Sequence, residues 1–182
     1  MKVAVLLADG FEEIEALTVV DLLRRAKVYV DTVSITDDYT VRGAHGIPVQ
    51  TEDLITEIDF KESDMIVLPG GMPGTTNLKE DENVRKAVQE AYDDGRYVAA
   101  ICAAPTILAD MGLLKGKRAT CYPDMESEIE DAYLTGAPVA TDENIITSQG
   151  VGTAIDFALK LIEVLISEEK AVEIADSIVY QR

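Results

Sequence analysis

Residues 97–111 read YVAAICAAPTILADM, and the fold is decided in this stretch. Tyr97-Val98-Ala99-Ala100-Ile101 is a continuous apolar run, the pattern of a strand buried on both faces. The run stops at Cys102, and residues 106–111 continue as helix after Ala103-Ala104-Pro105. A proline is tolerated there because the first helical turn needs no N–H from it. A buried strand that turns directly into a helix is the repeating unit of a parallel α/β sheet.

The unit recurs outward from there. Residues 3–8, 28–35 and 65–68 are further apolar strand runs, the last stopped by Pro69-Gly70-Gly71. Residues 11–26 and 84–92 carry helical spacing, and a loop holds Gly43 and Gly46. Residues 119–122 and 145–148 read as later strands, residues 155–166 and 171–178 as closing helices. The pattern predicts an α/β fold with a mainly parallel sheet between helical layers. A length of 182 residues, against about 150 per domain, predicts one domain over residues 1–182.

Composition narrows the partners. Lys and Arg total 16 against 34 Asp and Glu, a formal net charge of −18. A surface so acidic repels phosphate backbones and anionic lipid, which argues against nucleic acid and membrane partners. The acidic segments 52–64 and 124–131 read as solvated faces. No run approaches the ~20 apolar residues of a membrane span, and the N-terminal stretch reads as a first strand rather than a leader. Two cysteines in 182 residues are too few for a disulfide framework, so free thiols in a reducing cytoplasm are expected. Cys121, in the short apolar run 119–122, reads as core. One histidine, His45, and no CxxC leave no metal-binding cluster in the sequence.

Parallel sheets bind ligands where strands end, so the chemistry is sought in residues 9–15, 69–77, 102–105 and 148–153. Cys102 opens a helix, where unpaired N–H groups favour a thiolate and are expected to lower the thiol pKa. The strand-to-helix turn also has the logic of a nucleophile elbow, although a small apolar residue ending a core strand fits the same position. Glu15 shares its helix face with Val19, Leu22 and Ala26, whereas Thr18, Asp21 and Arg25 form the polar stripe. A carboxyl against apolar packing has a raised pKa and can stay protonated as a donor. Glu12 and Glu13 are explained by the positive end of the helix. The Gly70-Gly71 turn can present main-chain donors to an oxyanion, and residues 148–153 form a similar loop. No His follows Cys102, which argues against a Cys–His hydrolase.

The strings Ala8-Asp9-Gly10-Phe11-Glu12-Glu13-Ile14-Glu15, Val67-Leu68-Pro69-Gly70-Gly71, Ala99-Ala100-Ile101-Cys102-Ala103-Ala104-Pro105 and Thr147-Ser148-Gln149-Gly150-Val151-Gly152-Thr153 resemble the DJ-one/ThiJ/PfpI superfamily, most closely its DJ-one branch. The resemblance implies a flavodoxin-like three-layer sandwich of the class I glutamine amidotransferase type, and a homodimer. It implies Cys102 as nucleophile, Glu15 as a protonated carboxyl donating to it, and the Gly71 and Ala103 amides as oxyanion pocket. His45 falls in a loop that reaches the partner subunit's site, and Tyr122, Gly70 and Gly150 are further candidates for the pocket. Members are described as cofactor-independent glyoxalases, protein deglycases, peroxide-responsive thiols and chaperones. The expected activity is therefore conversion of methylglyoxal to lactate, free or as a protein adduct, with no cofactor and no metal. The alternative is a cysteine redox sensor or chaperone without turnover. Two departures stand out. PfpI-type proteases place His directly after the nucleophile, where this chain has Ala103, so peptidase activity is not expected. The DJ-one branch often has His before a Pro, where Tyr122 precedes Pro123, so that proton-transfer role passes to Glu15, Tyr122 or water.

Overall fold

In the computed structural model, which describes residues 1–181, strand and helix alternate as the apolar runs foreshadow. β1 (Lys2–Leu7) leads into α1 (Glu13–Arg25) and β2 (Tyr29–Ser34). An antiparallel hairpin, β3 (Thr40–Arg42) with β4 (Pro48–Gln50), and the short β5 (Asp53–Leu54) follow. Next come β6 (Met65–Leu68), α2 (Gly74–Glu80), α3 (Glu82–Asp93), β7 (Tyr97–Ile101) and α4 (Pro105–Asp110). A separate parallel pair, β8 (Arg118–Ala119) and β9 (Tyr133–Leu134), precedes β10 (Val139–Asp142), β11 (Ile145–Ser148), α5 (Ala154–Leu165) and α6 (Glu168–Ser177).

The main sheet has the order β10-β11-β7-β6-β1-β2-β5 and is parallel except for the β10–β11 pair. Its central strands are apolar throughout because both faces are covered. Val3, Val5 and Leu7 pack with α1, α5 and α6, whereas Ala4, Leu6 and Ala8 pack with α3 and α4 on the opposite face. This is the mainly parallel sheet between helical layers that the alternation predicts, in the flavodoxin-like form that the resemblance implies. On α1 the buried stripe includes Glu15, Val19 and Leu22, while Asp21 and Arg25 point outward and pair at 2.7 Å. Among the described residues no helix is long and apolar enough to cross a membrane.

From β1 the chain steps to β2 on one side and then to β6 on the other, so the strand order reverses between β1 and β6. The turns after these two strands consequently lie side by side: the Glu12 N–H donates to the Gly70 carbonyl at 2.8 Å, and the Gly74 N–H to the Gly10 carbonyl at 3.2 Å. Such a reversal is where open α/β sheets hold their ligands.

The structure departs from the sequence reading in three places. Residues 119–122 are not a strand of the sheet: only Arg118–Ala119 pairs, with β9, and the Thr120 N–H bonds to the Thr147 hydroxyl instead. Pro123 then starts the 3-10 helix Pro123–Ile129, because a residue without an N–H cannot extend the ladder. The second is α2, unannounced by its poor helix formers Gly74, Thr75 and Thr76 and set by tertiary packing. A Cβ at Gly74 would stand 2.6 Å from the Phe11 nitrogen, so only glycine lets the helix start against the β1 turn. The third is β10 and the small hairpin, too short and polar for their periodicity to show. Phe157, fully buried on α5, tests the layer that carries α1. Phe157→Ala should lower the unfolding free energy by about 3–5 kcal/mol, read from the urea midpoint at unchanged slope. A loss within ~0.5 kcal/mol, the range of surface changes, would show that this layer is not core.

Candidate active site

β7 delivers Cys102 to the carboxyl edge of the sheet. Its N–H donates to the Ser148 carbonyl at the end of β11 (3.0 Å), and its own carbonyl accepts from the Tyr122 N–H (2.8 Å). Between these two bonds the backbone is held at φ +66°, the left-handed region that a non-glycine residue seldom enters. The turn keeps the half-buried side chain at the sheet edge, and Pro105 begins α4 three residues on, as expected.

Glu15, on the first turn of α1, has no exposed surface. Its Oε2 accepts from the Gly70 N–H at 2.8 Å, and its Oε1 has no hydrogen-bond partner. The turn after β6 passes between acid and thiol only because residue 70 lacks a side chain: a Cβ there would stand 2.6 Å from both Cys102 Cβ and Glu15 Oε2. The Ala103 and Gly71 amides favour the charged form of the Cys102 sulfur. A methyl group on Gly150 would lie 3.8 Å from Cys102 Sγ, 3.8 Å from Glu15 Oε1 and 3.6 Å from the Tyr122 ring. Cys102 and Tyr122 line a cleft of about 320 Å³ with Pro123 and the 149–153 loop, and the buried Glu15 carboxyl lies behind it beside Gly150. Thr153 straps that loop: its Oγ1 accepts from the Gly150 N–H (3.1 Å) and lies 2.7 Å from Ser148 Oγ.

The electrostatics differ from the expected thiolate. Burial pushes Glu15 up to about 7, opposed by the Gly70 N–H and the Cys102 thiol, with the Glu12 charge adding a smaller upward push. Burial, and then the Glu15 charge, push Cys102 up to about 12 against the pull of the Ala103 and Gly71 amides. The start of a six-residue helix does not outweigh these, so the expectation of a thiol lowered by its helix end is not met. Between the two values the pair holds one proton. A thiol beside an acceptor oxygen without a partner gives that proton two adjacent places to reside.

Of the other candidates, Tyr122, Gly70 and Gly150 join the site. His45 does not line the cleft: its ring Nδ1 lies 2.8 Å from Glu13 Oε2 and its N–H donates to Glu13 Oε1 at 2.8 Å. Glu13, 4% exposed, therefore anchors the 43–47 loop rather than only complementing the helix end. Cys121 is fully buried, as read, with its thiol pushed up to about 12 by burial. Glu12 and Thr153 were not singled out by the sequence. The run Glu12-Glu13-x-Glu15 was the available signal for the first, whereas nothing local marks a threonine that closes a loop on itself.

A model of the DJ-1/PfpI family matches residues 1–164. The chain is 39% identical over 180 residues to Protein DJ-1 homolog B of Arabidopsis thaliana, covering 98% of this chain but spanning only 41% of that relative's length. It is 33% identical over 181 residues to the glutathione-independent glyoxalase DJ-1 of Schizosaccharomyces pombe, covering 93% of this chain and 94% of that protein. The crystal structure of a mutant of a DJ-1 superfamily protein from Salmonella typhimurium superposes with a TM-score of 0.95 at 35% identity, over 100% of this chain and 99% of that one.

The buried acid has a measurable signature. Glu15 binds its proton up to about pH 7 in the fold but only to about 4.5 when unfolded, so stability falls as pH rises through that window. Glu15→Gln removes the penalty: relative to the parent it should gain nothing below pH 4.5 and roughly 3 kcal/mol above pH 7.5. Denaturant titrations across this range check it, and a gain that does not depend on pH would refute it.

Proposed function

The chain belongs to the DJ-1/PfpI family, and on that premise we propose that it is a cysteine-dependent, cofactor-independent enzyme of the glyoxalase III type, converting methylglyoxal to lactate. The observation that carries the reading is the unpartnered Oε1 of buried Glu15 beside the Cys102 sulfur, whose charged form the Ala103 and Gly71 amides favour. A carboxyl poised near 7 is matched to proton transfer at neutral pH in either direction. The family relationship to a protein named as a glyoxalase supports the substrate class.

The steps balance without any outside oxidant. Cys102 Sγ attacks the aldehyde carbon of methylglyoxal while its proton passes to Glu15 and on to the new alkoxide, which the Gly71 and Ala103 amides hold. Ionised Glu15 then takes the hydrogen from that carbon, the electron pair forms an enediol as the neighbouring carbonyl oxygen takes the proton of the first hydroxyl, and Glu15 returns its own proton to the neighbouring carbon. The aldehyde carbon is oxidised to a thioester as its neighbour is reduced to an alcohol. Water cleaves the thioester, releasing lactate and the thiol. The cleft opens beside Tyr122, so the early adduct of methylglyoxal on a protein amine could present the same carbon to sulfur, which is the deglycase form of the reaction. Tyr122, in place of the histidine often found in the branch, leaves Glu15 as the proton carrier.

The dimer expected from the resemblance is placed here on α1. Ile14 and Ile47 are 53% and 52% exposed and line one largely apolar groove with Leu17, Ile155 and Ile178, with Asp21 and Arg25 also lining it.

Lactate production from methylglyoxal should vanish in Cys102→Ser and fall about 10²- to 10⁴-fold in Glu15→Gln. In the parent, kcat/KM should rise through pH ~7 as the pair loses its first proton and stay level to at least pH 9, since the second is held to about 12. Equal rates in all three proteins end the proposal. Gain of two oxygens at Cys102 under mild peroxide, with no lactate formed, would assign the site to redox sensing instead. For the dimer, sedimentation should give two chains for the parent and one for Ile14→Asp; a monomeric parent refutes that placement.

A further inference from the structure

Outside the cleft, the first turn of α1 and the 43–47 loop build a second cluster. His45 Nδ1 lies 2.8 Å from Glu13 Oε2 and 3.6 Å from Glu12 Oε2, and the three ligand atoms all fall within 4.8 Å of one another. From the convergence of these three side chains, we infer that Glu12, Glu13 and His45 form a binding site for a divalent transition-metal ion of the zinc class. The inference is independent of the reading of Cys102.

Charge is the first argument. The side chains of Glu12 and Glu13 are 12% and 5% exposed, and among the described residues His45 is the one cationic group within ion-pair distance of either. Two sheltered carboxylates facing one imidazole leave negative charge that a dication neutralises. Geometry is the second. Ligands about 2.0–2.1 Å from a tetrahedral ion stand roughly 3.4 Å apart, and the 2.8 and 3.6 Å separations bracket that spacing, so small side-chain shifts admit the ion. Glu12 is the cap residue of α1 with extended backbone, which frees its carboxylate to converge with its neighbour's, as consecutive residues within a helix do not.

Support around the ligands is the third argument. Glu13 Oε1 is held by the His45 N–H at 2.8 Å, so Oε2, which shares a hydrogen bond with the His45 ring, is the oxygen an ion between the two would take. The loop is closed by the Gly43 N–H to the Ile47 carbonyl (2.9 Å) and tied to the helix start by the Ala44 N–H to the Phe11 carbonyl (2.8 Å). A Cβ on Gly43 would stand 2.3 Å from the Glu13 carboxyl, so glycine alone lets the loop close on its ligand. Hydrogen-bonded outer contacts of this kind orient metal ligands. One imidazole with two carboxylates suits zinc, cobalt or nickel better than calcium.

The test uses the full chain stripped with chelator and titrated with zinc chloride by calorimetry. Cys102→Ser serves as background, because a thiol beside an acid is the competing zinc ligand. One ion per chain should bind in this background, and His45→Ala should weaken it more than tenfold. Glu12→Gln, at a partly exposed position that leaves the buried Glu13 in place, should weaken it as well, with circular dichroism confirming the fold. Cobalt(II) added to the parent should give ligand-field bands of a low-coordinate site without a sulfur-to-cobalt charge-transfer band. Binding unchanged in His45→Ala, binding lost in Cys102→Ser alone, or no binding at 100-fold molar excess each overturns the assignment.

Discussion

A carboxyl group removed from water must keep its proton or gather donors, and Glu15 gathers one, the Gly70 N–H. The rest of the site follows from that shortage. With Oε2 satisfied and Oε1 bare, the charged form is penalised and the proton stays bound to about pH 7. The turn after β6 must run close enough to supply the single donor, which forces glycine at 70. Glu12 adds its own charge to the same helix start and makes ionisation harder still. A fold that merely needed to stand would place an apolar residue at position 15. Keeping an acid there costs stability at neutral pH, and the two apolar layers of the sandwich absorb that cost.

The groups that meet at the cleft are remote in sequence and close only because of topology. Glu15 follows β1, Gly70 and Gly71 follow β6, Cys102 follows β7, and Ser148 ends β11. These strands are neighbours and parallel, so each releases its chain at the same edge of the sheet. The left-handed Cys102 backbone persists because that edge over-determines it: Ser148 holds its nitrogen and Tyr122 its carbonyl, each from a different segment. Such a conformation costs of the order of 1–3 kcal/mol and survives only where neighbours insist on it. Motion of the 149–153 loop is restrained in the same way by Thr153, which leaves the cleft open but its wall fixed.

Sequence reading reached what is written in long apolar runs and in strand-end composition. The runs through 3–8, 65–68 and 97–101 specify a doubly covered sheet because nothing else buries every residue of a strand, and Glu15 betrays itself by sitting among Val19, Leu22 and Ala26. Elements made by tertiary contact stayed hidden. α2 is built from poor helix formers and exists because Gly74 packs on the β1 turn. Residues 119–122 look like a strand, yet their neighbour offers a side-chain oxygen rather than a ladder. Glu13 read as a helix-end charge because its partner, His45, lies in a loop 32 residues away and only folding brings the two together.

The sulfur was the subtler case, and magnitudes decide it. A helix end stabilises a nearby charge by about 1 kcal/mol, roughly fivefold in an ionisation constant. The move of Cys102 from 9.0 to about 12 is about a thousandfold in the opposite sense, with burial first and the Glu15 charge second among its causes. No helix of six residues reverses that. The charge contribution vanishes, however, whenever the proton sits on Glu15, and the same two amides then face a sulfur with no anion beside it. Reactivity at Cys102 is accordingly a property of the pair: the thiolate exists in the moment the acid holds the proton. On the proposed reading, removing the acid would lower the thiol pKa and still slow the reaction, because the group that receives the sulfur's proton and returns it to a substrate carbon would be gone.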